Sequence, residues 1–160
     1  MTTKPWQIVA LATLCFIQAA HLLSEIFGDL LVASNPVSAA AWAELGFRAS
    51  EDGPSVDNVY DYLANSQYVF TIMMVVVFMF GFLLYRGEYL PAVRLTGTIF
   101  FAVGLAGQIF AAGRSTDNTP LDTELTFFLY VGLTALLLLG FISLFFGKSA
   151  QWVKEHTDSK

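Results

Sequence analysis

The chain contains four long apolar stretches, and each approaches or exceeds the ~20 residues that an α-helix needs to cross a bilayer. The predicted helices lie near 6–33, 57–86, 93–113 and 124–147 of the 160 residues. The composition agrees, because 56% of the residues are hydrophobic, only 13% are charged and the mean hydropathy is +0.61. A soluble domain carries about twice that charged fraction. We therefore predict an all-α membrane protein, with four transmembrane helices in an antiparallel up-down bundle that forms one domain over 1–160.

The first apolar stretch also has two features of a secretory signal peptide. Lys4 precedes the apolar run, and small residues follow it at 39–41. The run is too long for a signal peptide, however, and charged residues interrupt it. We interpret it as a transmembrane helix.

Basic residues are distributed unequally between the two sides of the predicted bundle. The side of the termini carries Lys4, Arg86, Arg94, Lys148, Lys154 and Lys160, whereas the other side carries only Arg48 and Arg114. The positive-inside rule then places both termini in the cytoplasm and predicts an integral protein of a bacterial or archaeal inner membrane. The outer side is acidic, which argues against nucleic acid as a partner. In the long first outer loop, the alanine-rich segment 36–47 is compatible with a short interfacial helix.

Four polar side chains stand at helical spacing inside the first predicted helix. They are Gln18, His21, Glu25 and Asp29. At about 100° per residue they fall within about 80° of one another, so one face of a membrane-length helix is polar. Because an ionisable group costs at least about 2.5 kcal/mol in hydrocarbon, this face must turn toward protein, water or a bound ion.

The predicted topology brings further polar residues to the same depth as this face. Gln108 and Arg114 stand at the outer end of the third helix, and Arg114 is the natural partner for Glu25 or Asp29. The candidate ligand-binding residues are therefore Gln18, His21, Glu25, Asp29, Gln108 and Arg114. His21 and Glu25 are four residues apart, about 6 Å along the helix axis, so they are close enough to share a proton or a metal ion. These two are the candidate metal ligands.

Three interpretations of this cluster remain open. The polar groups can fasten helices together by hydrogen bonds, form a ligand or metal site open to the outer surface, or belong to a proton or ion pathway. Leu11 and Leu14 on the inner half of the same helix argue against a continuous pathway. One histidine in the apolar stretches falls short of the usual ligand set for haem or copper. The sequence does not decide among a metal, a lipid, a quinone and a proton, so the cofactor is unknown.

Two further patterns concern helix packing. On the third helix, Gly97, Gly104, Gln108 and Ala111 share a face, which predicts close approach to another helix. The fourth helix is rich in leucine and phenylalanine, so we expect it to have no polar residue in its interior and to be the most lipid-exposed of the four.

The layout of the chain resembles a bacterial family of small four-helix membrane proteins. The resemblance rests on NVYDYLANSQY ahead of the second helix and GLAGQIFAAGRSTDNTP at the end of the third, and it covers roughly 57–147. It implies the four-helix fold. That family has no known activity, so no functional residue follows from it.

These observations favour a non-catalytic accessory or structural subunit of a larger membrane complex. The chain is small and has no Ser-His-Asp order, phosphate-binding loop or CxxC motif, so we predict no enzymatic activity. Its partners are then the lipid bilayer and other membrane subunits or further copies of itself. The alternative is a stand-alone protein that binds or transports a cation, a proton or a small ligand through the polar outer-leaflet site on helix one.

Overall fold

The computed structural model describes residues 4–37, 40–41, 56–112 and 121–158, and within them it contains helices and no strand. The helices are α1 (Trp6–Ser34), α2 (Val56–Arg86), α3 (Leu90–Ala112), α4 (Leu121–Ser143) and α5 (Gly147–Asp158). The all-α prediction is confirmed for these residues. Three spans, in α1, α2 and α3, are long and apolar enough to cross a membrane, and α4 with α5 counts as a fourth if that bent pair is one span.

Three predicted helix boundaries differ from the observed ones by three or more residues, and one of them is the start of α4, at Leu121 rather than at 124. α3 begins at Leu90 rather than at 93, because Pro91 fits the first turn of a helix and the amide of Val93 already donates to the carbonyl of Tyr89 at 2.9 Å. α4 ends at Ser143 rather than at 147. Of the interfacial helix predicted for 36–47, the described positions 36–37 and 40–41 are helical, and the others lie outside the described residues.

A tight break separates α4 from α5. The amides of Leu144, Phe145 and Phe146 each donate to the carbonyl three residues earlier, at 3.0–3.2 Å, which tightens the last turn. Gly147 then takes a left-handed conformation with φ of 59°. The chain therefore bends by 62° into α5, which the sequence analysis did not predict.

The chain divides into two compact units. The larger unit contains Met1–Phe16 and Met79–Lys160, and the smaller unit contains Ile17–Phe78. α1 and α2 contribute to both, because each division falls within a helix. The prediction of one domain over 1–160 is not tested by this division and stays a prediction.

The core of the larger unit depends on close approach between helices. A Cβ atom added at Gly140 of α4 would lie 2.6 Å from the Cδ1 atom of Leu11 on α1, and one added at Gly97 of α3 would overlap the ring of Phe141 on α4. That ring also stacks on Phe101, with centroids 5.4 Å apart. The predicted small-residue face of the third helix therefore does meet another helix, at its Gly97 end.

The exposure of the helices differs from the prediction. Of the apolar window of each span, 39% is buried in α1, 22% in α3 and only 17% in α2. α4 buries Leu137 and Phe141 completely and also buries the polar residue Thr134. The predictions that helix four has no interior polar residue and is the most exposed helix were therefore wrong, because a leucine-rich surface packs as well against glycine as against lipid.

α2 ends in a turn at Gly87, the residue on which Trp152 of α5 packs. The amide of Glu88 donates to the carbonyl of Leu83 at 3.0 Å, and the amide of Gly87 donates to the carbonyl of Leu84 at 3.3 Å. This pattern is a Schellman motif, and it needs the left-handed φ of 72° that Gly87 adopts.

Candidate functional site

The polar face of α1 is present in the smaller unit, and its residues differ in burial. Gln18 is only 3% exposed and Asp29 is 9% exposed. Between them, the side chains of His21 and Glu25 are 33% and 36% exposed. On this face of α1, Gln18 and Asp29 are therefore buried, and His21 and Glu25 between them are half-buried.

His21 and Glu25 are close but are not joined by a direct hydrogen bond. Their Nδ1 and Oε1 atoms are 3.8 Å apart, which is too long for a hydrogen bond and short enough for an ion pair when the imidazole is protonated. The Ser24 hydroxyl donates to the carbonyl of His21 at 2.7 Å, so it is occupied by the helix backbone. The predicted i,i+4 proximity of the two ionisable groups is thus present in the structure.

Gln18 contributes a buried acceptor one turn before His21. Its Oε1 atom receives no hydrogen bond from any described residue. A buried amide oxygen without a donor costs about 1–3 kcal/mol. Gln18 therefore has an unmet requirement for a hydrogen-bond donor.

The remaining two predicted site residues do not belong to the described part of the smaller unit. Gln108 belongs to the larger unit, where its Nε2 atom donates to the Thr134 hydroxyl on α4 at 3.1 Å. Its Oε1 atom is buried and receives no hydrogen bond from the described residues. Arg114 lies outside the described residues. The convergence of all six residues stays a prediction.

Thr134 is the residue that the sequence analysis missed. It is buried and provides the partner for Gln108, so it fastens α4 to α3. One signal could have identified it, since it is the one polar residue in the otherwise apolar run from 127 to 142 apart from Tyr130. Polar side chains in such runs hydrogen-bond across helices.

The metal interpretation receives limited geometric support. Among the described residues, no group of three or more His, Cys, Asp or Glu side chains is placed to hold a metal ion. His21 and Glu25 supply two donors, whereas a protein zinc site uses at least three protein ligands.

Comparisons with known proteins assign the chain to no group. No known family matches it, and neither the curated proteins nor the solved structures contain a match. The resemblance to a family of small four-helix membrane proteins therefore stays a prediction, and the functional argument rests on the residues of this chain.

Proposed function

We propose that the chain is an integral membrane protein and acts as a non-catalytic subunit of a larger membrane assembly. The proposed arrangement is an antiparallel up-down bundle in an inner membrane, with both termini on the cytoplasmic side. The three long apolar spans support insertion. The order of contacts supports the antiparallel pairing of α3 and α4, because Gly97 meets Phe141 while Gln108, later in the chain, meets Thr134, earlier in the chain.

One observation carries the subunit role. His21 and Glu25 are each about one-third exposed on a 29-residue apolar helix. If lipid covered them, each charged group would cost at least about 2.5 kcal/mol. A helix of another subunit that offers polar groups would remove this cost.

The apolar surface of α2 is consistent with the same role. Its exposed large side chains include Tyr68, Ile72, Val75, Met79 and Phe82, which alternate at spacings of four and three residues. This spacing is typical of a helix that packs along another helix. Lipid can cover the same surface, so the polar pair on α1 remains the decisive observation.

A second candidate function is the binding of a cation or a proton by the polar face. The placement of His21 and Glu25 one helical turn apart favours it, because with Nδ1 and Oε1 3.8 Å apart the two side chains can contribute two ligands to one cation. Ligation of a cation needs the neutral imidazole and the ionised carboxylate.

Site-specific photocrosslinking in native membranes tests the subunit role. Ile17 is 52% exposed and lies one turn before His21, and Ile99 on α3 provides a matched control because it is 55% exposed. With p-benzoylphenylalanine at position 17, we expect a protein adduct of defined mass that also co-purifies in a fixed ratio from uncrosslinked membranes. The control position should give lipid adducts or none. A chain that purifies alone and gives no protein adduct at position 17 would contradict the proposal.

A further inference from the structure

All lysines and arginines in the described part of the larger unit lie at one end of that unit. They are Lys4, Arg86, Arg94, Lys148 and Lys154, and we refer to them as the basic rim. Contacts join the elements that carry them. Lys4 Nζ donates to the carbonyl of Tyr85 at the end of α2, and it also lies 5.7 Å from the ring centroid of Trp152 on α5.

Aromatic rings hold three of these cations in place. Lys4 Nζ lies 5.1 Å from the ring centroid of Tyr85, and Arg86 Cζ lies 5.5 Å from that of Phe82. Arg94 Cζ lies 4.8 Å from the ring centroid of Phe145, in the break between α4 and α5. Each distance is within the range of a cation–π interaction. Aromatic and basic side chains together are typical of the level where a protein meets lipid headgroups.

The cations of the basic rim are not equally available. Arg86 Nη2 is paired with Glu88 Oε1 at 3.0 Å. Burial lowers the pKa of Lys4, whose ammonium already donates to Tyr85. Among the described residues, no salt bridge involves Arg94 or Lys148, and Lys148 is exposed. α5 also carries Glu155 and Asp158, so the described residues at this end include five basic and three acidic ones.

We propose that Arg94 and Lys148 of the basic rim bind the phosphate headgroups of anionic phospholipids. The inference rests on the proposed insertion of the chain into a membrane. A lipid, rather than free phosphate, is the ligand because exposed apolar side chains adjoin both cations in sequence, Leu95 after Arg94 and Phe146 shortly before Lys148. These side chains provide surface for acyl chains, while the two cations provide the charge.

Titration of lipid into the purified full chain in detergent tests the proposal. The probes are phosphatidylglycerol and phosphatidylcholine with the same acyl chains, and inorganic phosphate. We expect phosphatidylglycerol to bind several-fold more tightly than phosphatidylcholine and to raise the temperature midpoint of unfolding. Arg94→Gln and Lys148→Gln should each reduce the affinity for phosphatidylglycerol about fivefold, and added salt should act in the same direction. Neither variant should change the affinity for phosphatidylcholine.

The double change Arg86→Gln/Glu88→Gln is the matched control, because it removes an ion pair and leaves the net charge unchanged. It should change the affinity for phosphatidylglycerol by less than about twofold. Equal binding of the two lipids, stabilisation by inorganic phosphate alone, or an effect of the double change as large as that of Lys148→Gln would each overturn the proposal. Lys148 is exposed, so its variant reports on binding even if Arg94→Gln fails to fold.

Failure of this proposal is distinguishable from failure of the proposed function. Alkaline carbonate extraction of membranes measures insertion without reference to lipid charge, and crosslinking at position 17 measures the partner. A chain that resists extraction but binds both lipids equally overturns only the lipid site. A chain that carbonate releases from the membrane overturns membrane insertion itself.

Discussion

The indole ring of Trp152 packs directly on Gly87, with its Cη2 atom 3.0 Å from the position that a Cβ atom at Gly87 would occupy. Trp152 is almost completely buried, and on α5 its ring also lies close to that of His156, with centroids 3.9 Å apart. Gly87 is thus constrained twice, by the left-handed backbone of the Schellman motif and by the ring above it.

Gly87→Ala should therefore destabilise the larger unit. The left-handed conformation alone costs a residue with a Cβ about 1–2 kcal/mol, and displacement of Trp152 adds to it. We expect a lower midpoint in thermal unfolding of the detergent-solubilised chain. Gly107→Ala is the control, because nothing lies within 4 Å of a Cβ at Gly107 in the interior of α3. That change should leave the midpoint unchanged or raise it, and equal losses for the two variants would contradict the assignment.

Gly97→Ala should impair folding more than Gly104→Ala. A Cβ at Gly97 would overlap the buried ring of Phe141, whereas one at Gly104 would lie 4.0 Å from the Cγ2 atom of Thr134, an ordinary contact. Overpacking of this kind costs about 1–3 kcal/mol. The yield of monodisperse protein and its unfolding midpoint measure the difference. If Gly97→Ala had no effect and Gly104→Ala lowered the yield or the midpoint, the close contact of α3 and α4 would not lie at Gly97.

Substitutions at Glu25 separate a hydrogen-bonding role from a charge role in assembly. Glu25→Gln keeps hydrogen-bonding capacity, so the assembly proposed above should survive it. Glu25→Lys would reverse the charge one turn from His21, and co-purification of the partner should be lost. Glu155→Lys on α5 is the matched control and should leave assembly intact. If Glu25→Lys also preserves the partner, the polar face does not lie in the interface.

The proposed topology makes a labelling prediction. In a Cys15→Ala background, an impermeant thiol reagent applied to intact cells should modify a cysteine at position 50 and spare one at position 148. The prediction follows from the excess of basic residues on the side of the termini. Permeabilised cells provide the control, since both positions should then react. Labelling at position 148 but not at position 50 in intact cells would show that the orientation is opposite to the one proposed.

The sequence predicted α1, α2 and α3 well because each is a long apolar run, and length against bilayer thickness is a strong signal. α5 was missed because its composition is polar. Its buried positions Ser149, Trp152 and Val153 follow the spacing of an amphipathic helix, which a search for apolar runs does not detect. A search for periodicity in the tail would have indicated it.

The candidate site could be predicted only in its local part. His21 and Glu25 lie four residues apart on one helix, so their proximity follows from helical geometry alone. The partner of Gln108 could not be predicted, because it depends on how α3 and α4 are rotated about their axes. Packing at Gly97 sets that rotation by admitting the ring of Phe141. The spacing of residues in the sequence determines which side chains are neighbours on one helix, but it does not determine which side chains meet between helices.

The contact of Lys4 with Trp152 joins residues from opposite ends of the described sequence. During synthesis, the environment of Lys4 is therefore incomplete until the ribosome has made the chain through α5. The larger unit cannot complete its folding helix by helix in the order of translation, because the segment that carries Lys4 contacts α5, which is synthesised last. Such a long sequence separation makes closure of this contact a late event in biogenesis.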